Sequence, residues 1–170
     1  MPATTFPAFK VDPGEGRTPE PLNVFGASLT IKVSSRDTGG AFAVFEGITQ
    51  PLAGPPLHVH HDQDEYWRVL EGTFRFVVDG REILAGPGAD IFAPRGSVHT
   101  FQNIGDQPGR TLATVVPGGA DLFFEEIARA VAPGAKPDPH ALAPIFTKYN
   151  LSLAGPPLAP NKFPAPASNA

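Results

Sequence analysis

The feature that most constrains this chain is a succession of short alternating runs, each closed by glycine or proline. Leu29, Ile31 and Val33 alternate with polar Thr30 and Lys32. Gly39-Gly40 turns the chain into 41–49, where Phe42 and Val44 share a face, and Pro51 to Pro56 punctuates the next stretch. Further runs follow at 66–70, 73–78, 81–85, 90–93, 99–104 and 110–116, with Phe74, Phe76 and Val78 on one face. Between two of them sits Asp79-Gly80, a hairpin signal because both central positions of a type I′ turn need positive φ. Gly86-Pro87-Gly88 is another turn, without the strand–helix setting of a phosphate loop. Short runs at this spacing predict an all-β fold, closed or sandwich-like. The 21 prolines and 18 glycines are spread among the runs and read as turns.

The ends read differently. Residues 1–22, with Pro2, Pro7, Pro13, Pro19 and Pro21, show no periodicity and read as an N-terminal arm before a barrel over 23–118. After Pro117-Gly118-Gly119, Leu122, Phe123, Ile127 and Val131 recur at helical spacing. Asp121 is placed to cap this helix and Pro133 to end it; Asp138 is placed to open a second helix reaching about Asn150. The expectation is two short helices in 119–150 packed on the barrel, then an irregular Pro/Ala-rich tail over 151–170, all within one domain. The string Gly-Pro-Pro-Leu occurs at 54–57 and again at 155–158. The flanks differ, so this is read as coincidence and not as a repeat.

Composition narrows the chemistry. The net charge is -4, which leaves no basic footprint for nucleic acid. Residues 1–17 hold no apolar leader core, and no window approaches the apolar length of a membrane span, so a soluble cytoplasmic protein is expected. With no cysteine in the chain, disulfides and thiolate sites are excluded. Any metal must sit on nitrogen and oxygen.

Two segments supply such ligands. In a strand, side chains two apart share a face, so His58 and His60 point one way and Val59 the other. Glu65 follows a four-residue loop that can bring it back beside them, and His99 opens a separate strand on the parity of Phe101. Glu65 also shares parity with apolar Trp67 and Val69, and a buried carboxylate there needs a partner. Three imidazoles and one carboxylate suit one divalent transition metal per chain: Fe, Mn, Ni, Co, Cu or Zn. Four protein ligands leave coordination positions free on a five- or six-coordinate ion. His61 has the opposite parity and reads as a solvated loop residue; Tyr66 and Arg68 should face away from the site, and His140 should be on the surface. Ser97 lacks the setting of a nucleophile elbow.

The spacing His58-X-His60, four residues, Glu65, six residues, Gly72 resembles the first cupin motif. The spacing Gly88, five residues, Pro94-X-Gly96, two residues, His99, three residues, Asn103 resembles the second throughout. Only Gly54 departs, lying closer to His58 than the family's leading glycine does. Residues 55–80 and the two-helix ending are similar to the bacterial quercetin 2,3-dioxygenase-like cupins.

The resemblance implies a double-stranded β-helix, or jelly-roll barrel, with metal on His58, His60, Glu65 and His99. It also implies a homodimer, and a small aromatic or phenolic substrate oxidised by dioxygen. Glu65 would be both ligand and catalytic base, and Trp67, Val69 and Phe101 would wall the substrate pocket. Three rivals stand beside this reading: a metal-dependent isomerase, lyase or hydrolase, a non-catalytic small-ligand or metal-binding cupin, and a structural or storage role.

Overall fold

The computed structural model describes residues 6–131 and 138–160. Eleven strands and two helices form among them. Strands β1 (Leu22–Val24), β2 (Ala27–Val33), β3 (Ala43–Thr49), β10 (Gly109–Val116), β5 (Asp64–Glu71) and β8 (Asp90–Ala93) make one sheet in that order. Strands β11 (Leu151–Pro157), β4 (Pro56–His60), β9 (Val98–Asn103), β6 (Phe74–Val78) and β7 (Arg81–Ala85) make the other. From β3 to β10 the chain passes repeatedly between the sheets, and the pairings are antiparallel. This is the all-β fold that the short runs predict, in the jelly-roll form that the cupin resemblance implies.

Local chemistry explains much of the layout. Asp79 and Gly80 adopt φ of 47° and 76°, and β6 folds back on β7 with Val78 opposite Arg81, as the dipeptide predicts. The alternation of β5 places Glu65, Trp67 and Val69 inside the barrel, while Arg68 faces outward and grips Asp90 of β8. On β3 the inward face carries Ala43 and Phe45, so Phe42 and Val44 look outward. Phe45, Trp67, Val69, Phe74, Phe76 and Val115 fill the space between the sheets.

Helices α1 (Ala120–Ala130) and α2 (Pro139–Lys148) both form. They cover the side of the barrel where the edge strands β1 and β11 lie, which removes two exposed sheet edges. Val24, Phe123, Ile127, Leu142, Phe146 and Leu151 make a second apolar cluster there. Among the described residues, no helix is long and apolar enough to cross a membrane.

Two expectations are corrected. Asp121 does not cap α1, because Gly119 holds that position. Its buried carboxylate instead accepts from the Ser34 hydroxyl at 2.6 Å, the Ser35 hydroxyl at 2.6 Å and the Ser35 amide at 2.9 Å. The helix is thereby pinned to the β2–β3 connection. Asp138 does cap α2, accepting from the His140 amide at 3.0 Å. The second correction concerns the irregular tail: 151–157 is strand β11, paired to β4. Its prolines are tolerated because β11 is an edge strand. The two Gly-Pro-Pro-Leu strings meet in this pairing, with Pro157 opposite Pro56. Pro133 and the tail beyond residue 160 lie outside the described residues, as does Pro2 of the arm.

Candidate metal centre

Four side chains converge from both sheets. β4 carries His58 and His60, β9 carries His99 directly across the ladder from His58, and β5 of the facing sheet carries Glu65. One ligand atom from each lies within 4.8 Å of every other. The Glu65 carboxylate Oε2 is 3.5 Å from His60 Nε2 and 3.4 Å from His99 Nε2. Exposure is 2% for His60, 5% for Glu65 and 1% for His99.

The other face of each ring is held by an acceptor. His58 Nδ1 lies 2.8 Å from the Pro56 carbonyl, His60 Nδ1 3.0 Å from Gln63 Oε1, and His99 Nδ1 3.1 Å from the Ser97 carbonyl. An acceptor at Nδ1 places the proton there and turns the Nε2 lone pair toward the cluster. The Gln63 amide is oriented in turn, since its Nε2 donates to the carbonyls of Pro117 and Gly118 at 3.2 and 3.1 Å. Burial pushes His58 well below the usual imidazole pKa, and the neighbouring His99 and His60 push the same way. His60 is also lowered, chiefly by burial, with Glu65 and Gln63 pulling against it. Both rings are therefore neutral near pH 7, the form that binds metal.

This arrangement fits a divalent ion. His99 Nε2 is buried without a hydrogen-bond partner, an uncompensated cost for a lone pair that an ion would remove. Three imidazoles with their protons fixed on the far side, one of them with an unpartnered Nε2, and a carboxylate form a hard-to-borderline donor set.

Trp67 and Phe101 line the cavity beside this cluster, and Trp67 meets the His99 ring edge-on at 5.7 Å between centroids. Val69, expected to line it too, is fully buried in the barrel core and is not part of the cavity wall. Its step of two residues along β5 carries it past the hollow. His61 points outward to the Ser152 hydroxyl at 2.9 Å, and His140 is exposed, as their positions predict.

Sequence reasoning missed three contributors. Gln63 lies in the loop between His60 and Glu65, and its role depends on the distant 117–118 turn. Phe123 and Phe124 of α1 line the cavity, with Phe124 edge-on to Phe45 at 5.1 Å. The helices thus help to shape the cavity as well as pack on the barrel. No lysine or arginine lines it among the described residues, and Glu65 is the only acid there.

Residues 46–115, which include all four clustered side chains, match the family described as the Cupin domain. Mannose-1-phosphate guanylyltransferase of Escherichia coli (strain K12) is 32% identical over 95 residues, 56% of this chain. That match spans only 19% of the relative's own length. Oxidoreductase iacF of Pestalotiopsis fici is 43% identical over 51 residues, 29% of this chain and 25% of the relative. Among solved structures, an RmlC-like cupin from Shewanella frigidimarina superposes with a TM-score of 0.55 at 18% identity, over 69% of this chain and 99% of the other. The barrel has the cupin fold, and residues 46–115 within it are similar to the Cupin domain family.

Proposed function

We propose that this chain is a metal-dependent dioxygenase of the quercetin 2,3-dioxygenase type, acting on a small phenolic substrate. The observation that carries the reading is a His₃Glu donor set of which His58, His60 and Glu65 line an aromatic-walled cavity. An apolar wall of Trp67, Phe101 and Phe45 suits a ring. The absence of lysine and arginine from the described wall disfavours a phosphorylated sugar, which would need cationic partners. The similarity to oxidoreductase iacF of Pestalotiopsis fici supports the same class of chemistry over a short span.

His58, His60, His99 and Glu65 would hold the ion. When bound, a divalent transition metal supplies Lewis acidity toward a hydroxyl and, for a redox-active ion, a path for electrons to dioxygen. Glu65 is the group that accepts the hydroxyl proton, being the only carboxylate in the described cavity wall. Gln63, the Pro56 carbonyl and the Ser97 carbonyl hold the three rings in register. Trp67 and Phe101 exclude water and orient the ring.

One observation favours a second reading. The cavity volume is only about 70 Å³ and three of the four ligands are almost wholly buried. A cupin that holds metal without turnover would look like this. Oxygen uptake by metal-loaded protein, screened against flavonols and simple phenols, separates the two. Consumption of one dioxygen per substrate, with both atoms in the product, is expected. Turnover without oxygen consumption would assign the site to Lewis-acid chemistry, and binding without turnover to the second reading.

A further inference from the structure

The space beside the metal centre is small, yet it does not end there. A larger hollow of about 560 Å³ adjoins it. The two share three walls, Phe25, Pro56 and Phe146, and the Phe25 and Phe146 rings stand 6.0 Å apart. The outer hollow is lined by Leu142 and Leu153 and by parts of both Gly-Pro-Pro-Leu strings. Gly54 and Pro56 come from one string, and Gly155, Pro156 and Pro157 from the other. Prolines present apolar rings and no N–H donor. No ionisable side chain lines this hollow among the described residues.

Phe25 carries an independent sign. It occupies the first central position of the β1–β2 turn with φ 49°, followed by Gly26 at 81°. That position suits asparagine, aspartate or glycine, and a bulky aromatic there is an outlier. Backbone strain of this kind clusters at ligand clamps and active sites. Here the strained residue is one of the three at the junction between hollow and cavity. Size points the same way. An apolar cavity that takes benzene measures about 150 Å³, about twice the inner space, so a ring reaching the ligands must displace the junction side chains.

We infer that the outer hollow is a substrate subsite. It receives the distal apolar ring of a hydroxylated, uncharged, multi-ring aromatic, and Phe25 and Phe146 part to pass the hydroxyl-bearing ring to the metal centre. The inference rests on the function proposed above for that centre.

The probes are phenol and 4-phenylphenol. Trp67, the only tryptophan of the chain, lines the inner cavity, so its fluorescence in zinc-loaded protein reports arrival independently of chemistry. The visible spectrum of cobalt-loaded protein reports arrival at the ligands. We expect 4-phenylphenol to bind about ten- to a hundred-fold tighter than phenol, from burial of the second ring. Leu153 is 39% exposed on edge strand β11, so replacing it leaves the two apolar core clusters intact. Leu153→Asp should bring the affinity ratio close to one, and Leu153→Ala should lower it partway. Phe25→Gly, which keeps the turn and removes the ring, should speed association of 4-phenylphenol. A ratio unchanged in both Leu153 variants, or no quenching of Trp67 by either phenol, overturns the subsite. Quenching with a Leu153-sensitive ratio but an unaltered cobalt spectrum upholds the subsite and instead removes the metal-dependent reading.

Discussion

Replacing Gln63 by leucine tests whether the candidate metal centre is built by more than His58, His60, Glu65 and His99. Gln63 is almost wholly buried, accepts from His60 Nδ1 at 3.0 Å, and donates to the carbonyls of Pro117 and Gly118. Leucine has similar bulk and makes none of these bonds. His60 Nδ1 would be left without its acceptor in a buried site, at a cost of about 1–3 kcal/mol. The ring could evade that cost by moving its proton to Nε2, which removes the lone pair that binds metal. Either way the penalty falls on the metal-bound state, and about 1.4–2.8 kcal/mol corresponds to a 10- to 100-fold weaker site. Competition with a chelator of known affinity, using zinc or cobalt, measures this directly. Gln63→Glu supplies the control. Its carboxylate still accepts from His60 but faces the two carbonyls without a donor, so folding stability should fall while metal affinity holds better than in Gln63→Leu. Wild-type metal affinity in Gln63→Leu would refute the reasoning.

Four further outcomes are expected. Glu65→Gln, with the site kept fully loaded, should lose about 10²- to 10⁴-fold in turnover of a phenol found by the oxygen screen; a wild-type rate would remove Glu65 as base. Gly54→Ala should cost about 3 kcal/mol and lower Tm by several degrees, because a Cβ there would collide with the Phe101 carbonyl oxygen; an unshifted melt would contradict this close approach. Asp121→Ala, which strands two serine hydroxyls and an amide, should lower stability in urea by about 2–4 kcal/mol; a loss under about 0.5 kcal/mol would mean α1 is not pinned there. The folded pKa values of His58 and His60 lie below the unfolded value of 6.5. The unfolded chain therefore takes up protons that the folded chain refuses, and chelator-stripped protein should lose stability as pH falls through about 6.5. A urea midpoint flat between about pH 7.5 and 5.5 would count against it.

The sequence by itself determined what is local and periodic. Parity put His58 and His60 on one face and sent His61 to the other, and the fold agrees. The Asp79-Gly80 turn was legible because positive φ at two successive positions is a property of the dipeptide. The candidate site was legible because the types and spacing of His58, His60, Glu65 and His99 resemble the two cupin motifs. The tertiary structure alone decided which faces and edges meet. Periodicity says which way a side chain points along its own strand and is silent on what stands opposite. Glu65 arrives from the facing sheet, Gln63 acts through a turn more than fifty residues away, and Asp121 finds Ser34 and Ser35 across the domain. β11 escaped notice because prolines hide an edge strand, whose identity lies in its partner β4 and not in its own pattern. The two Gly-Pro-Pro-Leu strings show this most plainly: one hundred and one positions apart and unrelated in their flanks, they become neighbours only when the ladder between β4 and β11 closes.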